Sequence, residues 1–317
     1  MIWANLLHLS CNMWTDTPKP ETDDVPPGFT DHLRFDQATF DTVTEAMAEA
    51  GLTMLVLDVG DGIAYSSRPE ISATGAWTRE HLAGQLERLR SLGLDVVPKL
   101  NFSARHDAWL RRYSRMLSTP EYYDACADVI AEVCEAFEQP RFLHLGMDEE
   151  TAKHQHALQY AVMRQHDLWW HDLDFLLDRT REAGVQPWVW SDYAWNHPEV
   201  FYERMPHDVM QSNWYYGNQF ETDESGRPRP IRDSGEYWLT YLDLEDHGYD
   251  QIPTGSTWES QESLALTIDY CTPRIAPERL HGYLQTPWRP TLPQYLDDHL
   301  AAVARVGEAI TRWQDHA

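Results

Sequence analysis

Lysine is almost missing from this sequence. Only Lys19, Lys99 and Lys153 occur among 317 residues, and 25 Lys and Arg stand against 51 Asp and Glu, which gives a formal net charge of −26. Binding to nucleic-acid phosphates requires clustered Lys and Arg, so this balance argues against a nucleic-acid partner. Such an acidic surface keeps proteins soluble by mutual repulsion and is consistent with a high-salt habitat.

Cysteine and long apolar segments are also scarce. The four cysteines, Cys11, Cys126, Cys134 and Cys271, show no C-x-x-C spacing, which favours buried free thiols. No apolar run reaches the roughly 18 residues of a membrane span, and the N-terminus has neither a basic segment nor a small-residue cleavage site. We therefore expect a soluble, cytoplasmic protein without a membrane partner.

The sequence does contain short apolar runs that alternate with amphipathic stretches. This alternation predicts a parallel sheet covered by helices. The predicted strands are 2–9, 53–59, 95–101, 141–146, 186–192, 208–214, 252–258 and 280–286. The predicted helices are 37–50, 78–92, 121–138, 166–183, 235–248, 261–270 and 291–313.

Eight such units indicate a (β/α)8 barrel formed as a single domain by residues 1–317. The first strand is not followed by G-x-G-x-x-G, which argues against a dinucleotide site, and we expect no cofactor. The proline-rich segment at 14–35 is predicted to be a long loop after strand one. In a barrel, that loop lies on the carboxyl-terminal face, where active sites are found.

Acidic residues directly follow the predicted fourth strand. Asp148, Glu149 and Glu150 end the run that begins R-F-L-H-L-G-M at Arg141. Neighbouring carboxyls at a buried strand end favour one protonated member, as a general acid requires. The alternative is that these residues add favourable negative charge to the N-terminus of the next helix.

Another carboxyl, Glu259, follows the predicted seventh strand. In a barrel it faces Glu149 across the mouth. A nucleophile placed about 5 to 5.5 Å from an acid is the arrangement of retaining glycosidases. The alternative is that Glu259 is a charge at a helix N-terminus, where acids collect in any case.

Tryptophans fall at or just past the predicted strand ends: Trp14, Trp190, Trp195, Trp214, Trp258 and Trp288. The flat C–H faces of sugars stack on aromatic rings, so this pattern predicts a saccharide site. We expect Trp190, Trp214, Trp258 and Trp288 to form its wall. The alternative is that large aromatics fill the barrel.

Two further polar features lie near the predicted mouth. Asp58 on the second strand and Asp192 on the fifth point toward the mouth, where they would bind sugar hydroxyls or, equally, serve as caps or structural ion pairs. The pair His154 and His156 follows the acidic residues. An H-x-H without a placed carboxylate partner is weak evidence for a metal, so we expect no metal site.

The fourth strand carries a resemblance to a known family. The sequence H-L-G-M-D-E at 144–149 is similar to the H-x-G-G-D-E that ends the fourth strand of glycoside hydrolase family 20 (GH20) β-N-acetylhexosaminidases. His144, Gly146, Asp148 and Glu149 match, and Met147 replaces the second glycine. The end of the third strand resembles the family's V-x-P-E-x-D-x-P-G-H more distantly.

In that third-strand segment, Pro98 and His106 align, Lys99 replaces the glutamate, and Ala104 and Arg105 replace Pro-Gly. The family's first strand supplies an arginine that binds sugar hydroxyls, and the segment at 7–12 of this sequence has none. These departures leave open whether the substrate carries an acetamide.

The resemblance implies an exo-acting, retaining glycoside hydrolase. In the family, the glutamate protonates the glycosidic oxygen and the preceding aspartate orients the 2-acetamido group, which attacks the anomeric carbon. By resemblance, Glu149 is the acid/base, Asp148 the orienting residue, Tyr215 a hydrogen-bond donor to the acetamide and His106 a substrate-binding residue. Two alternatives are a retaining glycosidase acting on plain sugars with Glu259 as nucleophile, and a non-catalytic sugar-binding barrel.

Overall fold

Parallel strands form the centre of the fold in the computed structural model, which describes residues 1–19, 27–224, 228–230 and 236–316. The central strands are β1 (Ile2–His8), β2 (Met54–Asp58), β3 (Asp95–Lys99), β4 (Phe142–His144), β5 (Gln186–Trp190), β6 (Met210–Ser212), β9 (Thr254–Ser256) and β10 (Gly282–Thr286). Between β6 and β9 in the chain, β7 (Phe220–Thr222) and β8 (Pro228–Pro230) form a separate antiparallel pair.

Helices separate most of these strands along the chain. They are α1 (Gln37–Glu49), α2 (Arg79–Ser91), α3 (Pro120–Ala136), α4 (Asp167–Glu182), α5 (Tyr193–Asn196), α6 (Pro198–Arg204), α7 (Thr240–Asp246), α8 (Ser263–Cys271) and α9 (Leu296–His316). Short 3-10 helices occur at Ala108–Arg115, His154–Ala157, Glu236–Leu239 and Pro293–Tyr295.

The central strands pair in the order β6, β5, β4, β3, β2, β1, β10, β9, and every pair is parallel. Isolated parallel bridges from Gln211 to Gln251 and from Trp214 to Thr254 bring the two ends of this sheet together. The result is a nearly closed eight-stranded barrel surrounded by helices. The predicted (β/α)8 fold is confirmed.

The eight predicted strands are all present, each shorter than expected, and β4, β6 and β9 have only three residues each. The predicted helix at 235–248 starts at a residue outside the described part of the chain, and within that part it is a 3-10 turn followed by α7. The β7 and β8 pair and the 3-10 segment Ala108–Arg115 were not predicted, because neither has a helical or alternating apolar period.

Polar side chains accept hydrogen bonds at the first turns of the early helices. Asp36 accepts from the backbone N of Thr39 at 2.7 Å at the start of α1, and Thr78 accepts from His81 N at 3.1 Å at the start of α2. Such caps satisfy donors that the helix itself leaves free.

In the described residues, no helix is both long enough and apolar enough to cross a membrane.

Side chains alternate between the inside and the outside of the barrel. Ile2, Ala4 and Leu6 of β1 belong to the cluster inside the barrel, whereas Trp3 and Leu7 belong to the layer packed against the helices. This alternation follows from the period of two along a strand. Both faces of the strands are therefore buried, as the continuous apolar runs predict.

A polar layer closes the top of the barrel interior. His8, Asp58, Lys99 and His144 are the last residues of β1 to β4, and they are in register with one another. Lys99 Nζ lies 2.5 Å from Asp58 Oδ2, and His8 Nδ1 lies 3.5 Å from the same oxygen. Burial by itself would raise the pKa of Asp58, but Lys99 and His8 lower it to about 2. Asp58 is therefore held in a buried ion pair.

Candidate active site

The chain turns sharply where β4 ends. Gly146, Met147 and Glu149 have φ angles of +71°, +76° and +56°, in the left-handed region. A Cβ on Gly146 would lie 2.1 Å from Asn101 Oδ1, so only glycine fits there. A positive φ at a side-chain-bearing residue costs about 1 to 2 kcal/mol. The surrounding contacts must therefore hold Asp148 and Glu149 in this turn.

Asn101, just past β3, supplies several of these contacts. Its side-chain Nδ2 donates to Asp148 Oδ1 at 2.7 Å, and its Oδ1 accepts from the backbone N of Met147 at 3.3 Å and of Ser103 at 3.1 Å. The Ser103 hydroxyl donates to the backbone O of Asp148 at 2.5 Å. The buried carboxylate of Asp148 is thus fixed from both its side chain and its backbone.

The Glu149 carboxylate lies between two histidines. His106 Nε2 is 3.3 Å from Glu149 Oε2 and 3.4 Å from Asp148 Oδ2. On the other side, His154 Nε2 is 3.6 Å from Glu149 Oε1, and His154 Nδ1 is 2.8 Å from the Thr151 hydroxyl. The two carboxyls and the His106 ring therefore form one coupled group.

This arrangement sets the charge of Glu149. Burial by itself would raise the pKa of Glu149, but the hydrogen bond and charge of His106, with smaller contributions from His154 and Arg105, lower it to about 2. Without a ligand, the carboxyl is therefore ionised across the neutral pH range. Glu149 can therefore donate a proton only after ligand binding has changed these surroundings and the carboxyl has taken up a proton.

Asp192, just past β5, supports the turn from behind. Its Oδ2 accepts from the backbone N of Glu149 at 2.8 Å, and its Oδ1 has no hydrogen-bond partner among the residues that the structure describes. Burial, followed by the charge of Asp148, raises the pKa of Asp192 well above its usual range. A neutral Asp192 avoids a third negative charge beside Asp148 and Glu149.

The third acidic residue, Glu150, has a different position. Arg164 donates to Glu150 Oε1 through Nε at 2.8 Å and to Oε2 through Nη2 at 2.5 Å. The backbone N of Ala104 also donates to Glu150 Oε2 at 3.0 Å. Because both oxygens of this buried carboxylate have protein partners, Glu150 is structural, and Asp148 and Glu149 remain to contact a ligand.

Asp148 and Glu149 open into a cavity of about 320 Å³ at the carboxyl ends of the strands. Its lining comes from loops after six strands of the barrel and comprises Met13, Trp14, Arg105, His106, Asp148, Glu149, Trp214, Tyr216, Trp258, Glu259 and Trp288. Acidic groups with aromatic rings around them suit a saccharide, because sugar hydroxyls need polar partners and sugar C–H faces stack on rings.

The aromatic residues of the wall support one another. The rings of Trp214 and Tyr216 stack with centroids 4.9 Å apart, and Trp288 Nε1 donates to the Tyr216 hydroxyl at 3.0 Å. Below them, the His8 ring lies 4.8 Å from the Trp14 ring and 5.7 Å from the Trp288 ring. The polar layer of the barrel thus forms the support of the cavity floor.

The predicted residues divide into two groups. Those that line the cavity are His106, Asp148, Glu149, Trp214, Trp258, Glu259 and Trp288. Of the others, Asp58 is paired with Lys99 below the floor, and Asp192 lies behind Glu149. Neither acid lines this cavity, so their positions favour the alternative of a structural ion pair or cap over contact with sugar hydroxyls there.

Trp190 and Tyr215 also lie away from this cavity. Trp190 is only 2% exposed and belongs to the cluster inside the barrel, because its position on β5 points inward. Tyr215 is 5% exposed, and its hydroxyl has no hydrogen-bond partner among the described residues. Neighbouring residues in an extended segment face opposite ways, so the adjacent Tyr216 lines the cavity instead.

Sequence reasoning missed several residues of the site, among them Asn101, Arg105 and Tyr216. Asn101 and Arg105 stand where the third-strand motif has other residue types, so the resemblance gave them no role. Tyr216 was passed over for its neighbour. Their signal in the sequence is position: each follows a barrel strand end, where side chains of several loops converge.

One group of side chains at the site could hold a divalent cation. Ligand atoms of His106, Asp148 and Glu149 all lie within 4.8 Å of one another. One imidazole and two carboxylates are suitable ligands for ions such as Zn²⁺. The buried His106 Nδ1 has no partner among the described residues, whereas a metal-binding histidine normally donates its other N–H to a partner. The site fits such an ion incompletely.

No protein-family model and no curated protein matches the sequence. Several solved structures are similar in fold. The GH20 β-N-acetylhexosaminidase from Streptomyces coelicolor A3(2) has a TM-score of 0.63 at 15% identity, over 96% of this chain and 64% of that chain. The GH20 exo β-N-acetylglucosaminidase from Vibrio harveyi, in complex with N-acetylglucosamine, has a TM-score of 0.63 at 13% identity, over 99% of this chain and 57% of that chain.

The β-N-acetylhexosaminidase from Bacteroides fragilis NCTC 9343 is similar to the same degree, with a TM-score of 0.61 at 15% identity, over 95% of this chain and 65% of that chain. The chain therefore spans less than two thirds of the length of these structures. Identities this low show the fold alone. The barrel is that of the GH20 structures, and the sequence resemblance is confirmed as a distant one.

Proposed function

We propose that the protein is a glycoside hydrolase that removes a terminal 2-acetamido sugar with retention of configuration. The observation that carries this proposal is the pairing of Asp148, fixed by Asn101, with Glu149, whose carboxylate faces an aromatic-walled cavity. The fold shared with GH20 structures, one of them bound to N-acetylglucosamine, supports the same substrate class.

In this proposal Asp148 positions the acetamide. Asn101 holds Asp148 Oδ1, which leaves Oδ2, 3.4 Å from His106 Nε2, free to accept from the acetamide N–H. A carboxylate on that N–H makes the acetamide carbonyl oxygen more nucleophilic and directs it toward the anomeric carbon. The substrate then supplies the nucleophile, which is a known exception to the two-carboxylate scheme.

Glu149 supplies and recovers the proton. Protonated Glu149 gives its proton to the glycosidic oxygen as the C1–O bond breaks and the acetamide oxygen bonds to C1. The alcohol leaves, and a cyclic oxazolinium ion remains. Glu149 then takes a proton from water as that water attacks C1, which reopens the ring and regenerates the acetamide and the acid. Two displacements at C1 retain its configuration.

Glu149 must gain a proton before it can act as the acid. In the free protein the pKa of Glu149 is about 2, because of His106 above all its other partners. A saccharide that fills the cavity excludes water, and a low dielectric disfavours separated charges. We therefore propose that substrate entry raises the pKa of Glu149, so that the carboxyl takes up a proton before the glycosidic bond breaks. This protonation makes Glu149 an acid when it is needed.

The form of the cavity supports exo action. Residues after β1, β3, β4, β6, β9 and β10 all line the cavity, so side chains from six of the eight strand ends lie around the acids. Such convergence around the acids favours one terminal sugar unit over the middle of a chain. The sugar unit released would therefore be the terminal one.

One observation favours a second candidate mechanism. Glu259 lines the same cavity as Glu149, from the loop after β9. As a nucleophile it would form a covalent glycosyl intermediate and would need no acetamide. Glu259 is exposed, however, and no hydrogen bond to its carboxylate is found within the described ranges. We therefore favour substrate assistance over a nucleophilic Glu259. A non-catalytic sugar-binding barrel is the third candidate function.

Hydrolysis of paired aryl glycosides tests these proposals. The pairs are glucoside against N-acetylglucosaminide and galactoside against N-acetylgalactosaminide, with wild type and Glu259→Gln. The proposal predicts activity on the acetamido sugars alone, with little change in Glu259→Gln. Activity on plain sugars that disappears in Glu259→Gln would establish the two-carboxylate mechanism. Saccharide binding without hydrolysis of any pair would establish the non-catalytic reading.

A further inference from the structure

The imidazole of His106 lies against both acids of the site at spacings that suit a metal ion. Its Nε2 is 3.3 Å from Glu149 Oε2 and 3.4 Å from Asp148 Oδ2. Zn²⁺ binds histidine nitrogen and carboxylate oxygen at about 2.0 to 2.2 Å in a tetrahedron, whose ligand atoms are then about 3.3 to 3.6 Å apart. Two separations at this site therefore already have the values that a bound Zn²⁺ requires.

A small movement completes the ligand set. One ligand atom from each of the three residues lies within 4.8 Å of the other two, so the carboxylate oxygens are at most that far apart. Rotation of the Glu149 carboxylate about its terminal bond, a torsion with a broad minimum, can shorten this separation. Asp148 stays in place through its other oxygen, which accepts from Asn101. All three residues line the cavity, so water can fill the fourth position.

The charge of the cavity favours a cation. Asp148, Glu149 and Glu259 line it, and within the described part of the chain Arg105 is the one Lys or Arg that does so. The formal net charge of −26 raises the concentration of cations near the protein. Mg²⁺ and Ca²⁺ prefer about six to eight oxygen ligands, whereas Zn²⁺ accepts an imidazole together with carboxylates. The ligand set therefore favours a transition-metal ion over the common hard cations.

We propose that His106, Asp148 and Glu149 bind Zn²⁺ reversibly and that the bound ion inhibits the protein. The ion takes Asp148 Oδ2 and Glu149 Oε2 as ligands. Under the proposed function, these oxygens contact the acetamide N–H and the glycosidic oxygen, so the ion and the substrate exclude each other. The inhibition rests on the proposed function, whereas the metal site depends only on the three side chains.

One contact that permanent metal sites have is missing here. A histidine that binds a metal through Nε2 carries its ring proton on Nδ1 and normally donates it to a carboxylate, a carbonyl or water, a contact worth about 10- to 100-fold in metal affinity. His106 Nδ1 is buried and has no partner among the residues that the structure describes. We therefore expect an inhibitory ion that exchanges with the solution and that a chelator removes.

Calorimetric titration with Zn²⁺ tests the site without reference to activity. The proteins are chelator-treated wild type, His106→Gln and Asp148→Asn. His154→Gln is the matched control, because this histidine also lies beside Glu149, 3.6 Å from Oε1, but is not one of the three clustered ligands. Melting temperatures establish that each variant is folded, and titration with Mg²⁺ measures selectivity.

We expect wild type and His154→Gln to bind one Zn²⁺ per chain with similar affinity, and to bind no Mg²⁺ at the same concentrations. His106→Gln and Asp148→Asn should bind Zn²⁺ more than about 100-fold more weakly, since loss of an outer contact alone costs about 10- to 100-fold. N-acetylglucosamine should weaken Zn²⁺ binding to wild type. Zn²⁺ should raise KM for an aryl N-acetylglucosaminide at unchanged kcat, and a chelator should reverse the effect.

Absence of Zn²⁺ binding to wild type, equal affinity in His106→Gln, or a loss confined to His154→Gln would overturn the site. Zn²⁺ that lowers kcat at unchanged KM, or that raises activity, would overturn competition with the substrate. Failure of the proposed function looks different: wild type would hydrolyse no N-acetylhexosaminide in metal-free buffer, while Zn²⁺ binding and its loss in His106→Gln would persist.

Discussion

The side-chain amide of Asn101 donates to Asp148 Oδ1 at 2.7 Å, and the same side chain accepts from the backbone N of Met147. One residue after β3 thus positions both the carboxylate and the backbone of the turn after β4. If Asp148 orients the reacting acetamide, this contact is needed for the rate more than for binding.

We therefore expect Asn101→Ala to lower kcat on an aryl N-acetylglucosaminide by about 100-fold and to change KM much less. Asn101→Asp keeps the acceptor for Met147 but loses the donor to Asp148, so it should be equally slow. Initial-rate kinetics, with melting temperatures measured alongside, check this. A value of kcat close to that of wild type in both variants would mean that Asp148 needs no support from Asn101.

His106 gives a prediction about acid stability. The pKa of Glu149 falls from an ordinary 4.5 to about 2, owing chiefly to His106 acting against burial. A depressed carboxyl pKa stabilises the fold above the unfolded-state value, and this stabilisation is lost as the pH falls toward the folded-state value. Between pH 4.5 and 2, the free energy of unfolding should therefore fall more steeply for wild type than for His106→Gln.

Urea unfolding at several pH values measures this difference, and the carboxyls that do not contact His106 cancel because both proteins contain them in the same surroundings. His32→Gln is a matched control, since this ring lies outside the cavity lining. Parallel curves for wild type and His106→Gln would show that His106 does not lower the Glu149 pKa.

Two tryptophans at neighbouring strand ends should differ in their effects. Trp190 is 2% exposed inside the barrel, so Trp190→Ala should lower the free energy of unfolding by about 3 to 5 kcal/mol. Trp214 is half-buried in the cavity wall. Trp214→Ala should leave stability nearly intact and lower kcat/KM about 2- to 13-fold, the value of one stacked ring. Denaturation and kinetics on both variants check the contrast, and equal effects would contradict it.

The buried pair of Lys99 and Asp58 gives a stability prediction. Lys99→Met removes the cation from the buried Asp58 and leaves it only the His8 contact, which should cost about 3 to 5 kcal/mol. The double variant Lys99→Met with Asp58→Asn should recover much of this loss. Arg79→Ala, which removes an exposed pair with Glu135, should cost less than about 1 kcal/mol. Urea unfolding compares the three, and a Lys99→Met loss no larger than that of Arg79→Ala would contradict the account.

The fold was predictable because buried parallel strands and amphipathic helices leave different periods in the sequence. The acidic pair was predictable because Asp148 and Glu149 directly follow an apolar strand, where a barrel places its site. The choice between Tyr215 and Tyr216 was not predictable. It depends on which neighbour faces inward after a three-residue strand, and a shift of one residue reverses the result.

Other parts of the site depend on contacts that no pattern encodes. Asp58 and Asp192 lie at strand ends as Asp148 does, but the first is paired with Lys99 from the next strand and the second accepts a hydrogen bond from Glu149 N. Arg105 became visible only when the structure placed it beside Glu149 with donors unused. Partners from distant parts of the chain decide which acid contacts a ligand and which stabilises the fold.

Glu149 offers the most direct measurement. Its replacement by Gln keeps the size of the side chain and removes the group that donates and accepts the proton. The experiment compares wild type and Glu149→Gln on an aryl N-acetylglucosaminide, with binding of N-acetylglucosamine measured in parallel. We predict hydrolysis by wild type, a fall in kcat of about 100- to 10,000-fold in the variant, and retained binding. Equal hydrolysis by the two proteins would contradict the assignment of Glu149 as the acid/base.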